Sequence, residues 1–344
     1  MARLTGLLLS VLLGFGTSSA FAYEWQVLPD VAPAPADNPT TPEKVELGRL
    51  LYMDPRFSST GTVSCNSCHN VMLGGEDNRP VSMGVHGQTG GRSAPTVWNS
   101  AFSSSQFWDG RAATLEDQAK GPVTNPIEMG MSELEEAMDR VRDISGYRPY
   151  FERAFPGKDP MTVENAARAV AAYERTLITP DSAYDRYVKG DKQAMSEQQV
   201  RGMNLFADTG CTACHSGPAF NGPAMEPGIG FFMKFPAFAD HDYVSKYQLA
   251  DDTGRFTVTA AEADKHMWKV PTLRNIALTA PYFHNGAVGT LNEAVRVMAR
   301  VQLNKDLSDE QVTEIVAFLD ALTGEFPEQP MPRLPGTPGR SIIK

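Results

Sequence analysis

Beyond Ala22 the sequence has no apolar run long enough to cross a bilayer, a task that needs about 20 such residues in a helix. That absence excludes a mature chain held by a membrane-spanning helix. Basic blocks are missing too. Lys and Arg number 31 against 41 Asp and Glu, a formal charge of −10, so the electrostatic footprint of a nucleic-acid binder is absent. An acidic exterior of this kind can steer a basic partner protein. Strand signals are sparse, which points to a mainly α fold. Cysteine is scarce, with four in 344 residues.

The one apolar run stands at the start. Arg3 supplies a positive charge, Leu7 to Leu13 an apolar stretch, and Ala20-Phe21-Ala22 a small-x-small site. Together they read as a signal peptide over 1–22, cut after Ala22 to leave Tyr23 first. An uncleaved anchor is the alternative, and the short run disfavours it. The expected location is the periplasm. Loss of Arg3 takes the charge from −10 to −11. About 320 residues remain, enough for two domains.

Four cysteines in an exported chain can close two disulfides. The spacing argues otherwise. They stand as Cys65-Asn66-Ser67-Cys68-His69 and Cys211-Thr212-Ala213-Cys214-His215. Two thiols three positions apart can add to the two vinyl groups of one haem, with the next His as axial ligand to the iron. A zinc site or a thioredoxin-like pair leaves both histidines unexplained. Two covalent c-type haems are expected, on His69 and on His215.

The chain also repeats itself. Residues 94–119 and 270–295 align without a gap at an offset of 176, with identities at Pro95/Pro271, Thr96/Thr272, Asn99/Asn275, Ala101/Ala277, Phe107/Phe283, Gly110/Gly286, Thr114/Thr290 and Leu115/Leu291. A helical pattern precedes each haem motif, over 43–53 and 197–207, and another closes each half, over 163–177 and 309–322. Ser308-Asp309-Glu310-Gln311 has the form of a capping box. Helix, haem motif, long loop and helix is the plan of a small cytochrome c domain, present twice. The expected division is 23–185, 186–325 and a proline-rich tail or strap over 326–344. The linker is expected near 179–191, where Pro180 breaks the helical pattern.

The sixth iron position separates the halves. Met298 lies on an expected helix over 290–301, and a thioether there closes an iron and raises its potential. The alternative is a core methionine. At the offset of 176 its partner is Pro122, whose side chain has no donor for iron. The first haem is therefore open or borrows a ligand, the candidate being His86 in the glycine-rich segment 74–91. A plain surface histidine is the alternative for His86. Trp108 on its own reads as core and Glu128 as a solvated carboxylate. His284, opposite Trp108 in the repeat, is expected to line the second haem or pack near it. His241 and His266 read as surface or structural residues.

Nearly all of the mature sequence resembles the bacterial di-haem cytochrome c peroxidases. The carrying segments are LGRLLYMDPRFSSTGTVSCNSCH, QFWDGRAATLEDQAKGPVTNPIEMG, and KVPTLRNIALTAPYFHNG with the helix through Met298. The resemblance implies a low-potential peroxidatic haem on His69 and a high-potential electron-transfer haem on His215 and Met298. It implies Trp108 between the haems, Glu128 as distal acid/base and Gln118 as its pocket neighbour. Hydrogen peroxide is the implied substrate, a small cytochrome c or copper protein the implied donor, and a homodimer the implied assembly. A calcium ion between the domains is also implied, with the carbonyls of Thr279 and Pro281 matching ligand positions. Two departures stand out. Val85 takes the place of the removable histidine, with His86 one residue later. Ser93 replaces the calcium-binding asparagine. Rival functions are a non-catalytic di-haem carrier, a bridging structural protein, and a related enzyme that oxidises a partner protein. The last type places tyrosine where Met298 stands.

Overall fold

The computed structural model describes residues 23–337, 339 and 341–343, so the expected signal peptide lies outside the described residues. These residues form the helices α1 Pro42–Met53, α2 Cys65–Cys68, α3 Leu115–Thr124, α4 Leu134–Asp143, α5 Arg148–Ala154, α6 Val163–Glu174, α7 Ala183–Lys189, α8 Glu197–Thr209, α9 Asp242–Lys246, α10 Phe256–Thr259, α11 Leu291–Leu303 and α12 Asp309–Asp320. One two-stranded antiparallel sheet pairs β1 Phe232–Lys234 with β2 Met267–Lys269. The mainly α expectation therefore holds.

Local chemistry sets the helix starts. Thr41 caps α1, with Pro42 in its first turn, where a missing N–H costs nothing. Ser196 with Gln199 and Ser308 with Gln311 form reciprocal capping boxes on α8 and α12, each satisfying two otherwise orphaned N–H groups. The helix expected over 163–177 ends at Glu174, because the chain then turns to offer the Leu177 carbonyl to Asn99 at 2.8 Å.

Each half is built on one helix crossing, α1 on α6 and α8 on α12. Both crossings use a glycine at the closest approach. A Cβ on Gly48 would lie 1.9 Å from the Ala169 oxygen, and one on Gly202 would lie 1.8 Å from the Glu314 oxygen. No other residue allows that spacing.

The repeat is real in three dimensions. Asn99 and Asn275 both take left-handed backbone, with φ of 64° and 59°, which asparagine tolerates better than most residues. The bridges Gln106–Ala112 and Tyr282–Val288 fall at equivalent positions. Thr114 and Thr290 cap α3 and α11. The halves meet at Thr179, whose hydroxyl accepts from the side-chain amides of Asn99 and Asn275, each at 2.9 Å.

Two connecting segments carry more structure than expected. The expected linker over 179–191 contains α7, so the boundary drawn after residue 185 falls inside a packed helix. Tyr184 and Asp185 are fully buried. Asp185 receives both Nη1 and Nη2 of Arg274 at 2.8 Å, and Leu28 N at 3.0 Å. Arg274 Nε also donates to Pro218 O at 2.8 Å, tying α7 to the loop behind the second motif. The proline-rich end is a strap across the first half. Phe326 packs edge-on against Trp98, Gln329 accepts from the Tyr173 hydroxyl at 2.9 Å, and Ile342 is buried.

Two stability predictions follow from these buried charges. Asp185→Asn leaves Arg274 charged and uncompensated in the core, a loss of roughly 3–5 kcal/mol, read as a large fall in the unfolding midpoint. Retention of the parental midpoint would refute this ion pair's role. Glu174 is buried on α6 beside the Arg175–Glu116 pair, and burial pushes its carboxyl up to about 8. A raised acid is comfortable when protonated. Its contribution is complete below the ordinary carboxylate range and is lost as pH rises through about 8. The unfolding midpoint should fall over that window, and Glu174→Gln should flatten the fall.

Candidate functional site

The two cysteine motifs are built alike. In each, the histidine N–H donates to the first cysteine carbonyl at 2.9 Å, as His69 to Cys65 and His215 to Cys211. The first motif forms the one-turn helix α2, with Ser64 and Ser67 boxed together. The second follows Gly210, the left-handed cap of α8. None of the four cysteines is paired in a disulfide. Burial pushes Cys65 and Cys211 up to about 12, so both are uncharged.

Both imidazoles are oriented by backbone carbonyls. His69 Nδ1 lies 2.8 Å from Pro95 O and His215 Nδ1 lies 3.0 Å from Phe220 O. Burial lowers the pKa of each ring, so both are neutral. An Nδ1–H donated to a carbonyl leaves the Nε2 lone pair free, the state required of a metal ligand.

Cys211, Cys214 and His215 open into a cavity of about 270 Å³. Met298 lines it from α11, and so does Met233 from β1, a second thioether that sequence reasoning missed. Trp108, Ser93, Thr279 and Pro281 reach the same cavity. His284 does as well, stacked on Trp268 with centroids 4.2 Å apart. Three lining atoms, Ser100 Oγ, His284 Nε2 and Gln302 Oε1, are buried without a hydrogen-bond partner. A large apolar cavity with two neutral thiols, a neutral imidazole, thioethers and orphaned polar atoms suits a haem with its polar edge groups. In the first half Arg49 Nε, Ser82 Oγ and Trp98 Nε1 are similarly orphaned.

Trp108 joins the halves. Its Nε1 donates to Ser93 O at 2.8 Å and its carbonyl accepts from Lys269 N at 3.0 Å. Ser93 N in turn donates to His284 O at 2.7 Å. The next residues, Asp109 and Gly110, accept from Arg255 through their carbonyls at 2.9 and 3.5 Å.

In the first half the structure gathers Glu128, Asn125 and Arg111. Glu128 Oε1 accepts from Asn125 Nδ2 at 2.9 Å. Burial raises the Glu128 pKa, while the Arg111 charge and the Asn125 bond pull it down. The Cys68 thiol is pushed up by burial and, among smaller causes, by the Glu128 charge, which places this carboxyl within electrostatic reach of the first motif. Arg111 lies over the Phe107 ring at 3.5 Å from its centroid and donates to Asp109 Oδ2 at 2.9 Å. Sequence reasoning missed Arg111. The signal was present in the repeat, where its partner is Ala287. Gln118 sits half-buried on α3, one helix turn before Pro122.

The loop holding His86 packs on the Glu128 turn. Val85 N donates to Glu128 O at 2.9 Å, and a Cβ on Gly84 would lie 1.9 Å from Ile127 O. Val85 turns inward at 1% exposure, whereas His86 is exposed at a φ of 58°. At the expected calcium position, Asn78 Nδ2 donates to Leu278 O at 3.2 Å and to Ala280 O at 3.1 Å. Burial pushes the adjacent Glu76 up to about 7. Both backbone groups of Ser93 are used as above. Among the described residues no group of three or more His, Cys, Asp or Glu side chains forms a metal cluster. His241 accepts from Arg300 Nε and caps α9, and His266 Nδ1 lies 3.1 Å from Asp252 O, so both are structural.

Residues 42–193 match the family model described as di-haem cytochrome c peroxidase. The chain is 44% identical to cytochrome c551 peroxidase of Nitrosomonas europaea over 89% of this chain and 87% of that one. It is 41% identical to cytochrome c551 peroxidase of Pseudomonas aeruginosa over 95% and 94%. Among solved structures, a MauG-like protein associated with microbial copper homeostasis superimposes with a TM-score of 0.75 at 32% identity, covering 88% of this chain and 96% of that one. With two CxxCH motifs, a duplicated helical scaffold and relatives of this similarity, the chain belongs to the di-haem cytochrome c peroxidase family.

Proposed function

We propose that this chain is a periplasmic peroxidase that reduces hydrogen peroxide to water with electrons from a small cytochrome c or copper protein. Electrons enter at the second motif and are used at the first. One observation carries the reading. The halves share a scaffold but differ where an iron would be closed: Met298 lines the second cavity, whereas its repeat partner Pro122 lies inside α3.

Cys65 and Cys68 would hold one haem by thioether bonds, and Cys211 and Cys214 the other. His69 Nε2, His215 Nε2 and the Met298 sulfur would serve the irons. When bound, the haems supply one iron that takes peroxide and one that stores and passes an electron.

The chain's own groups supply protons and order. Asn125 holds Glu128 Oε1, which leaves Oε2 to carry a proton. Burial gives Glu128 the raised proton affinity that a shuttle needs. It takes the proton from one peroxide oxygen and returns it to the other, so the departing oxygen leaves as water. Arg111 opposes the burial and keeps the carboxylate form accessible. Gln118 donates a hydrogen bond to the developing charge. Two electrons and two further protons complete two waters. On this reading Trp108, which lines the second cavity with its ring fixed by Ser93 O, passes electrons towards the first haem. The exposed position of His86 favours a first site with no histidine to remove. The same reading takes the enzyme as a homodimer of two-domain chains, with calcium held by the carbonyls of Thr279 and Pro281.

Glu128→Gln should lower peroxide turnover by about 10²–10⁴-fold with both haem spectra unchanged. Full turnover in that variant would end the acid–base assignment. Met298→Ala should convert the second haem from low spin to high spin in the absorption and EPR spectra. A surviving thioether-ligated signal would move the ligand to Met233. A parent holoprotein with two low-spin haems, inert to peroxide when oxidised and when half-reduced, would leave an electron carrier in place of a peroxidase.

A further inference from the structure

The second cavity contains one cation and no carboxylate. Lys269, at the end of β2, lines it, and no Asp, Glu or Arg does. The Lys269 ammonium makes no hydrogen bond or ion pair with any described residue. Its neighbours in the lining are neutral. Burial holds the His284 ring down at about 4, and the other side chains of the lining are apolar or uncharged polar groups. Lys269 is half-buried, and an ammonium set among apolar side chains loses part of its hydration without a counter-charge. Burial alone lowers Lys269 to about 8, with no charged neighbour contributing. A site of this kind awaits an anionic group on whatever fills the cavity.

The repeat sharpens the point. At the offset of 176, Lys269 stands opposite Ser93. The two halves therefore place an ammonium and a small hydroxyl at one structural position, immediately before the shared Ala/Val-Pro-Thr turn. The Lys269 backbone is fixed by its bond to Trp108 O at 3.0 Å, so its place does not depend on the side chain.

We propose that Lys269 is the counter-charge for a carboxylate of the haem held by Cys211 and Cys214, and that this pairing raises that haem's reduction potential. The inference rests on the two-haem reading above. A positive charge beside the haem favours the state with the extra electron, and loss of the charge leaves a carboxylate uncompensated beside the iron. Both effects lower the potential when Lys269 is removed. Ser93 provides no such charge in the first half.

The test is a spectroelectrochemical titration of the parent holoprotein, Lys269→Gln and Lys269→Arg, with haem content measured as the pyridine haemochrome. The expected result is two haems per chain in all three. In Lys269→Gln the upper midpoint falls by at least a tenfold change in the one-electron equilibrium, about 59 mV, while the lower midpoint stays. Lys269→Arg returns the upper midpoint to the parental value. Selective loss of the second haem in Lys269→Gln, with Lys269→Arg loaded at the parental midpoint, supports the same pairing. Two haems with an unmoved upper midpoint in Lys269→Gln overturn the inference and leave the peroxidase reading intact. Fewer than two haems in the parent protein overturn both.

Discussion

The arrangement of both halves depends on one buried threonine hydroxyl. Thr179 Oγ1 accepts from the amides of Asn99 and Asn275 and lies 3.3 Å from Asn275 Oδ1, the group to which it can donate. One donor and two acceptors is the full capacity of a hydroxyl. Each asparagine also clips its own half together. Asn99 N binds Leu177 O while Thr179 N binds Asn99 Oδ1, and Asn275 N binds Leu322 O while Gly324 N binds Asn275 Oδ1. The loop that follows each motif is thus tied to the end of the helix that closes that half. All three residues are essentially without solvent access, where an unmade bond costs the whole desolvation penalty. Left-handed backbone at both asparagines is the condition that lets side chain and backbone serve at once.

On that symmetric frame, chemistry is written where the repeat diverges. Trp98 and Arg274 are equivalent and both fully buried. One packs on Phe326; the other is neutralised by Asp185 and braces the loop behind the second motif. Pro122 and Met298, Ser93 and Lys269, and Arg111 and Ala287 differ in the same manner. Each pair changes what its half offers a metal or a charge without changing the backbone course. A duplicated fold can hold two like cofactors in unlike electronic settings only through such positions.

Much of this was legible in the sequence because it is local. The CxxCH turns, the capping boxes at Ser196 and Ser308, the helical patterns of α1, α8 and α12 and the gapless repeat all rest on neighbours within a few residues. The parts that were not legible depend on distant partners. Pro180 signalled a break and suggested a linker, but Tyr184 and Asp185 bury against Phe318 and Arg274, far along the chain. The proline-rich end left tail and strap both open, and only the distant first core, where Phe326 and Ile342 pack, decides for the strap. Arg111 and Lys269 look like ordinary surface charges until the fold places one on Phe107 near Glu128 and the other in a cavity. Met233 carries no local signal at all, since only the pairing of β1 with β2 brings it to the site.

The polypeptide by itself buries more unmet polarity around the second motif than a finished core tolerates. His284 Nε2, Ser100 Oγ and Gln302 Oε1 are buried without partners among the described residues. Native interiors satisfy nearly all such groups. They share this cavity with apolar side chains that include Phe206, Leu291 and Ile315. A flat ligand, apolar over its faces and polar along its edge, meets both kinds of lining, whereas water would satisfy only the polar atoms. The folded chain is therefore complementary to its cofactor in polarity as well as in the sulfur and nitrogen atoms that would attach it.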